Sequence, residues 1–266
     1  MENIRLVLVD IDGTLLNSKG IVTPDTIAAV NQLREAGITF GIATGRSPYA
    51  VKTLVKEWGI GEAADIIMGF NGSGTLYLDT DEMVSFAPLS GEGIQELLHD
   101  FQGFSFNAGI YDGYGFHALK KDAIAERTAV NNHFELIIDD FTSYFRTGAP
   151  KVLLMTDKEE LDRILAHYET LHPVHYRAFR SAPVLLECIN PELTKSKGIA
   201  AICARMHITA DQVLTFGDMM NDYEMIRDYV GVAMGNADER IKKAAKYITA
   251  SNDEDGIAVF LNKYIF

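Results

Sequence analysis

The stretch LVLVDIDGT, residues 6–14, places four apolar residues directly before two carboxylates. A short apolar run rich in β-branched residues is typical of a strand buried on both faces, as in a parallel sheet. Asp10 and Asp12 can both project from the end of this strand toward one site, where their repulsion favours a bound cation or a shared proton. The stretch therefore predicts a buried strand with an oxygen-rich site at its C-terminal end.

An acidic turn that merely caps the strand is the simpler interpretation, because Asp-Gly is common in turns. The four fixed letters of Asp-x-Asp-Gly-Thr, however, would occur by chance in roughly a few chains per thousand of this length. The functional interpretation is therefore favoured.

The residues after this strand continue in an alternation of helices and strands. A helix is predicted from Thr23 to Gly37, because Thr can cap a helix, the following Pro suits its first turn and Gly can close it. Apolar runs predict strands over 39–43 and 65–70, with a helix over 49–58 between them. This βαβαβ order predicts a parallel sheet with right-handed crossovers.

The parallel order ends at Asn71-Gly72, which lies between apolar stretches and predicts a hairpin. Helical and strand-like pieces then mix irregularly until the alternation returns after Thr194. The sequence therefore predicts an α/β protein with a parallel-sheet core in two segments, 1–84 and 189–266, and an inserted α/β domain over 85–188.

The composition is that of a folded protein with an excess of negative charge. The chain has 266 residues, of which 47% are hydrophobic and 23% charged, and a formal net charge of -13. This charge disfavours sequence-independent binding of nucleic acid, which depends on Lys and Arg neutralising backbone phosphates. An anionic substrate would therefore need a site that is locally positive.

Cysteine usage and hydropathy predict a reduced, cytoplasmic protein. Cys188 and Cys203 have neither the spacing of a zinc site nor the density of a disulfide scaffold, so both are interpreted as reduced core residues. The apolar run that ends at Val9 is too short for a signal-peptide core, and no later run is long enough to span a bilayer. We therefore expect no membrane contact.

Two further segments offer groups that could bind an anion. Thr44-Gly45 follows a predicted strand and presents a hydroxyl and backbone N–H groups, although Thr-Gly after a strand is more often a helix cap. Lys195 and Lys197 open a helix, where cations oppose the helix dipole unless an anion lies near; both could also point into water. Of the two lysines, Lys197, directly before Gly198, is preferred for the site.

The segment GDMMND, residues 217–222, follows an apolar run that predicts a strand over 213–216. Asp218 occupies a strand end as Asp10 does, and Asn221 and Asp222 fall one turn later, so they can turn back to the same site. This gives a second source of carboxylates for a cation. Alternatively, Asp218 is a loop residue and Asp222 a helix-start carboxylate favoured by the dipole.

Together these segments resemble the haloacid dehalogenase superfamily, in which Asp-x-Asp-Gly-Thr, a Thr or Ser, a Lys before Gly, and Gly-Asp-x-x-Asn-Asp follow in this order. More narrowly, they resemble its Cof-type sugar-phosphatase branch. The likeness extends to Thr44-Gly45-Arg46, Asn71-Gly72, VAMGNA at 232–237 and SNDEDG at 251–256. It implies a Rossmann-like core with an α/β cap inserted after the third core strand, and phosphatase activity.

The resemblance also implies a role for each matching residue. Asp10 would be the nucleophile that forms a phosphoaspartate, and Asp12 the general acid and then base. Mg²⁺ would be held by the Asp10 and Asp218 side chains and the main-chain carbonyl of Asp12, with Asp222 supporting these ligands from behind. The phosphate-binding residues would be Ile11, Thr44, Gly45, Lys197 and Asn221.

Two residues near these positions keep alternatives open. Lys195 could take the place of Lys197, and Arg46 matches the branch without an assigned role.

In the inserted domain, the polar-aromatic residues that could contact a leaving group, or pack as ordinary aromatics, are Tyr111, Asp112, Tyr114 and His117.

The substrate implied by the resemblance is a small phosphate monoester, such as a sugar phosphate. Hydrolysis of such esters needs accelerations of up to ~10²¹, whereas a general acid supplies ~10²–10⁴, so positioning and charge stabilisation must supply the rest. A phosphomutase with the same core and a non-catalytic sensor of phosphometabolites are the alternatives. Free phosphate as the product excludes the mutase, and turnover excludes the sensor.

Overall fold

The computed structural model of the chain describes residues 1 and 3–266 and divides into two compact units. The first unit comprises Met1–Phe86 and Thr194–Phe266, and the second comprises Ala87–Leu193. The predicted boundaries at 84 and 188 lie two and five residues before these. The second boundary is later because the last strand of the second unit runs to Ile189 and is followed by a turn in which the Leu193 N–H donates to the Asn190 carbonyl.

The first unit is built on one sheet. Its strands are β1 (Leu6–Val9), β2 (Thr39–Ala43), β3 (Ala64–Gly69), β4 (Gly74–Tyr77), β5 (Glu82–Ser85), β12 (Val213–Gly217), β13 (Val230–Ala233) and β14 (Tyr247–Ile248). Their order across the sheet is β14-β13-β12-β1-β2-β3-β4-β5, parallel from β14 to β3 and antiparallel from β3 to β5. The predicted parallel sheet and the hairpin at Asn71-Gly72 are confirmed.

Strand β1 lies at the centre of this sheet because its residues are apolar on both faces. All four are fully buried, and β12 and β2 flank the strand with Val9 paired to Phe216 and Ile42. The carboxyl ends of parallel neighbours meet at one edge of a sheet. Asp10, Thr44 and Asp218, which follow directly after β1, β2 and β12, are therefore brought to the same edge.

Helices cover the sheet and carry the expected end signals. The helices of this unit are α1 (Pro24–Glu35), α2 (Pro48–Glu57), α7 (Lys195–Met206), α8 (Tyr223–Asp228), α9 (Glu239–Ala244) and α10 (Gly256–Tyr264). The Thr23 hydroxyl caps α1 by accepting from the Thr26 N–H, as predicted. Over residues 1 and 3–266, no helix combines the length and the apolar character that a bilayer crossing requires.

The second unit has its own sheet and apolar core. Its strands are β6 (Asn107–Asp112), β7 (Gly115–Ala118), β8 (Glu135–Ile138), β9 (Val152–Met155), β10 (Arg177–Ala182) and β11 (Leu185–Ile189), in the order β10-β11-β9-β6-β7-β8. Its helices are α3 (Gly91–Asp100), α4 (Ala123–Asn131), α5 (Tyr144–Thr147) and α6 (Lys158–Tyr168). Apolar residues of α3 and α6 pack with alternate residues of β6, β9 and β11.

The predicted polar-aromatic cluster lies in this second unit. Tyr111 is buried and its ring contacts Phe116 and Phe134. Asp112 accepts from the Tyr144 hydroxyl at 3.0 Å, and His117 Nδ1 lies 2.9 Å from Asp139 Oδ2. Tyr114 is 52% exposed and Asp112 is exposed as well, whereas Tyr111 is buried and His117 is partly buried.

Both cysteines are buried and neither forms a disulfide, so the prediction of reduced core residues is confirmed. Cys188 lies in β11 of the second unit and Cys203 in α7 of the first.

Helix α7 packs closely against the hairpin loop at Gly198, and a larger residue there should destabilise the fold. A Cβ at Gly198 would lie 2.7 Å from the Cα of Gly72 and 2.7 Å from the Met68 sulfur. Helix propensity alone predicts that Gly198→Ala gains about 1 kcal/mol of stability. We expect a loss of about 1–3 kcal/mol instead, because the added methyl overpacks this contact. Unfolding in urea, followed by the fluorescence of Trp58 in the same unit, measures the difference. A more stable variant would contradict the packing argument.

Candidate active site

Asp10 lies in a buried cluster of charged side chains at the carboxyl edge of the sheet. It is 6% exposed, and its Oδ1 atom accepts a hydrogen bond of 2.6 Å from Nζ of Lys195. The same Nζ lies 2.5 Å from Oδ1 of Asp222, which is fully buried. A single buried ammonium group therefore bridges two buried carboxylates.

This arrangement corrects the prediction that Lys197 faces the site. Lys195 is the first residue of α7 and Lys197 the third, so their side chains point about 200° apart around the helix axis. Lys195 is 1% exposed, whereas Lys197 is exposed and its backbone N–H donates to the Thr194 hydroxyl. Both lysines stand at the helix start, and only the rotation of α7 against β1 decides between them.

Asp222 holds the loop after β12 as well as Lys195. Its Oδ2 atom accepts from the backbone N–H groups of Asp218 and Met219 at 3.1 and 3.2 Å. A Cβ at Gly217 would lie 2.7 Å from the Asp222 Cβ, which explains the glycine before Asp218. Both carboxylate oxygens of Asp222 therefore already accept hydrogen bonds, and its role is to hold Lys195 and the loop after β12 in position.

Asp218 completes the buried cluster from the end of β12. It is 5% exposed, and its Oδ1 atom accepts from the Thr14 hydroxyl at 2.9 Å. Gly13 has a φ of +83°, and a Cβ at this position would lie 2.3 Å from the Asp218 Oδ2 atom. Asp218 therefore explains both residues after Asp12, because a side chain at position 13 would collide with it and Thr14 donates a hydrogen bond to it. Thr14 belongs to the Asp-x-Asp-Gly-Thr motif, but the motif by itself does not indicate this contact with Asp218, which is distant in sequence.

Burial changes the proton affinities of this cluster. It raises the pKa of Asp10 to about 7; Lys195 opposes the shift, and the neighbouring charges of Asp222 and Asp218 add to it. Burial also raises the pKa of Asp218 to about 6, and the hydrogen bond from Thr14 offsets this only in part. Burial lowers the pKa of Lys195, but Asp10 and Asp222 more than compensate, so its pKa lies above the ordinary value.

The donor set fits a divalent cation that prefers oxygen ligands. Carboxylate oxygens of Asp10, Asp218 and Asp222 lie within 4.8 Å of one another. When all three are ionised, Lys195 balances only one of their charges, which leaves room for a doubly charged ion. Oxygen donors are those that Mg²⁺ selects. Since Asp222 is already engaged, Asp10 and Asp218 are the side chains that could bind the ion.

Asp12 lies outside this buried cluster and is paired with Arg46. Its side chain is 64% exposed, and its Oδ1 and Oδ2 atoms accept from Nη2 and Nε of Arg46 at 2.6 and 3.2 Å. This two-point ion pair links the loop after β1 to the loop after β2. The sequence motif assigns no role to Arg46, and the structure pairs it with Asp12.

Thr44 and Gly45 are held in place by the loop after β3. Thr44 is buried; its N–H donates to the Met68 carbonyl and its carbonyl accepts from the Asn71 N–H, both at 2.9 Å. A Cβ at Gly45 would lie 3.2 Å from the Asn71 Oδ1 atom. Asn71 has a φ of +58°, so the hairpin loop adopts a left-handed backbone to reach Thr44-Gly45.

The remaining two predicted phosphate-binding residues differ in their surroundings. Ile11 is fully buried, so its side chain belongs to the core and only its main chain could reach a phosphate. Asn221 is exposed in the turn between Asp218 and Asp222.

A family model described as haloacid dehalogenase-like hydrolase matches residues 7–261. The chain belongs to this family. A 5-amino-6-(5-phospho-D-ribitylamino)uracil phosphatase of Bacillus subtilis is 26% identical over 267 residues, covering 97% of this chain and 97% of the relative. The resemblance to the haloacid dehalogenase superfamily that was inferred from the motifs is confirmed, and a relative of similar length is a phosphatase.

Solved structures of the family share the whole fold. A haloacid dehalogenase-like hydrolase from Bacteroides thetaiotaomicron has a TM-score of 0.85 at 28% identity, covering 99% of this chain and 100% of that chain. A sugar phosphatase of haloacid dehalogenase subclass IIB has a TM-score of 0.76 at 24% identity, covering 98% of each chain. At that identity the second likeness shows the fold alone.

The two lysines provide a matched test of the cluster. Lys195→Met leaves Asp10 and Asp222 buried without their cation, and removal of one partner of a buried ion pair typically costs about 3–5 kcal/mol. Lys197→Met, at an exposed position, should change stability by less than about 0.5 kcal/mol. Urea unfolding followed by Trp58 fluorescence compares them. Equal effects of the two substitutions would show that Lys195 is not the buried bridge.

Proposed function

We propose that the protein is a Mg²⁺-dependent phosphatase that hydrolyses small phosphate monoesters, sugar phosphates or related metabolites, through a phosphoaspartate formed on Asp10. The observation that carries this proposal is the buried bridge from Lys195 to Asp10 and Asp222, next to Asp218. A carboxylate held in this way is oriented before the substrate arrives, which lowers the cost of reaching the transition state.

Asp10 acts as the nucleophile. The hydrogen bond from Lys195 to its Oδ1 atom fixes the orientation of the carboxylate. Attack on phosphorus forms the bond from Asp10 to phosphorus and breaks the bond from phosphorus to the leaving oxygen. The Thr44 hydroxyl and the Gly45 N–H bind the phosphoryl oxygens, and Lys195, in place of the predicted Lys197, supplies positive charge beside them.

Asp12 moves the protons. Its side chain is 64% exposed, so it can exchange protons with solvent and reach a leaving group. It donates a proton to the leaving oxygen in the first step and then accepts one from the water that cleaves the phosphoaspartate. Arg46 holds the ionised carboxylate in one place and is released when Asp12 carries the proton, because a neutral carboxyl group attracts it less.

Other predicted residues take supporting roles. The Asp10 and Asp218 side chains and the Asp12 main-chain carbonyl would hold Mg²⁺, which when bound neutralises negative charge on the phosphoryl group. Asp222 keeps Lys195 and the loop after β12 in place. Asn221 and the main chain of Ile11 bind phosphate.

The central test is phosphate release from a panel of sugar phosphates, nucleotides, and flavin and pyridoxal phosphates, with and without Mg²⁺. Asp10→Asn should reduce release by about 10⁴-fold or more, because loss of a nucleophile removes the whole covalent route. Asp12→Asn with an aryl phosphate, whose leaving group needs no proton, should accumulate a phosphorylated enzyme that is visible by mass spectrometry after acid quench.

Three outcomes would redirect the proposal. Release that is unaffected by Asp10→Asn would refute the phosphoaspartate. Transfer of the phosphoryl group to a sugar hydroxyl, without free phosphate, would indicate a phosphomutase. Binding of phosphate esters without turnover would indicate a sensor.

Cation binding should depend on pH in a defined direction. Carboxyl groups with pKa values of about 7 and about 6, those of Asp10 and Asp218, are increasingly protonated as the pH falls and then bind a cation poorly. Mg²⁺ affinity should therefore fall about tenfold from pH 7 to 6, and by up to about a hundredfold per unit below pH 6, where two protons must leave. Calorimetric titration with Mg²⁺ between pH 5.5 and 8 measures this. A flat profile would show that these carboxylates are not the ligands.

A further inference from the structure

The loop that carries Asp12 is neither helix nor strand, and its own hydrogen bonds form a single wide turn. The Leu15 N–H donates to the Asp10 carbonyl at 3.1 Å, and the Leu16 N–H donates to the Ile11 carbonyl at 2.9 Å. These bonds close a turn around Asp12. They do not use the carbonyl groups of Gly13 and Leu16, which accept hydrogen bonds from another part of the chain.

Two asparagines from the far end of the chain bind those carbonyl groups. Nδ2 of Asn236 donates to the Gly13 carbonyl, and Nδ2 of Asn252 donates to the Leu16 carbonyl, each at 2.8 Å. The two asparagines are also joined to each other, because the Asn252 N–H donates to Oδ1 of Asn236 at 3.0 Å. The accepting carbonyls stand one and four residues after Asp12.

The same C-terminal segments are connected to the other side of the site. The Met234 N–H donates to the Gly217 carbonyl at 3.1 Å, and the Asp238 N–H donates to the Asp218 carbonyl at 3.0 Å. The segment that contains Asn236 therefore contacts the end of β12 and the Asp12 loop at the same time.

A second contact extends the same connection beyond the turn. The Ser18 N–H donates to Oδ1 of Asp253, the residue after Asn252, at 2.8 Å. The sequence motifs at 232–237 and 251–256, which had no role in the proposed reaction, thus both bind the loop after β1.

We propose that Asn236 and Asn252 form a polar clasp that positions Asp12 for proton transfer; this inference rests on the proposed function. Asn236 is exposed and Asn252 partly exposed, and hydrogen bonds at such positions contribute little to global stability. Their effect is local: they fix the backbone on the C-terminal side of Asp12 relative to Asp218. Both asparagines are positioning residues, since they act through the loop and touch no reacting atom.

The test compares two substrates that differ in their need for a proton. An alkyl phosphate requires protonation of its leaving oxygen, whereas 4-nitrophenyl phosphate does not. In Asn236→Ala and Asn252→Ala, kcat/KM for the alkyl ester should fall by about tenfold or more, a part of the ~10²–10⁴ that a general acid supplies. The value for 4-nitrophenyl phosphate, which requires Asp10 but no acid, should change by less than about threefold.

Matched variants separate positioning from a general structural effect. Thr249→Val removes the bond from the Thr249 hydroxyl to the Gly256 carbonyl, in the same C-terminal region, and should leave the ratio of the two substrates unchanged. In an Asp12→Asn background, Asn252→Ala should cause no further change in that ratio. Asn252→Ser and Asn236→Ser, with thermal unfolding of each variant, cover the case in which an alanine variant folds poorly.

The outcomes of this test are distinct. Equal losses for both substrates, or no loss for either, would overturn the clasp while the wild type and Asp10→Asn still establish the phosphatase. A wild type without phosphate release, or one insensitive to Asp10→Asn, would overturn the proposed function and the clasp together.

Discussion

A single ammonium group, Nζ of Lys195, lies between the buried carboxylates of Asp10 and Asp222, and the rest of the site depends on this contact. Burial of unpaired charges costs more than a folded protein can easily tolerate, so the cluster can exist only where a cation is buried with it. That requirement sets where α7 begins and how it is rotated. Glycine at position 198 lets α7 approach Gly72 closely. Glycine at position 217 leaves space for the Asp222 side chain beside the loop after β12.

The two aspartates of the opening motif differ in their surroundings although they are only two residues apart. Asp10 is enclosed with Lys195, Asp218 and Asp222, whereas Asp12 is exposed and paired with Arg46. Different environments allow one pair of like groups to take different roles. In the proposed reaction, the buried member holds a cation and attacks phosphorus, and the exposed member exchanges protons with water.

The site is assembled from both segments of the first unit. The first segment supplies Asp10, Asp12 and Thr44, and the second supplies Lys195 and Asp218. These groups meet because β1 pairs with β12 in register, which sets the two strand ends side by side. The hydrogen bonds from Asn236 and Asn252 to the Asp12 loop also join the two segments, because they connect residues that are 223 and 236 positions apart. An irregular loop beside a regular strand thereby gains fixed partners.

The sequence by itself determined the strands that end at Asp10 and Asp218, the helix capped by Thr23, the parallel order and the insertion, because apolar periodicity and end signals are local properties of the chain. It also predicted that Asp10 and Asp218 lie at strand ends on one edge of the sheet, with Asp222 one turn after Asp218. Only the tertiary structure decided that Lys195 rather than Lys197 faces Asp10, that Arg46 pairs with Asp12, and that Asn71 and Asn236 support the loops. Those choices depend on how a helix is rotated and which distant backbone groups come within hydrogen-bond distance, and neither is encoded in a local pattern.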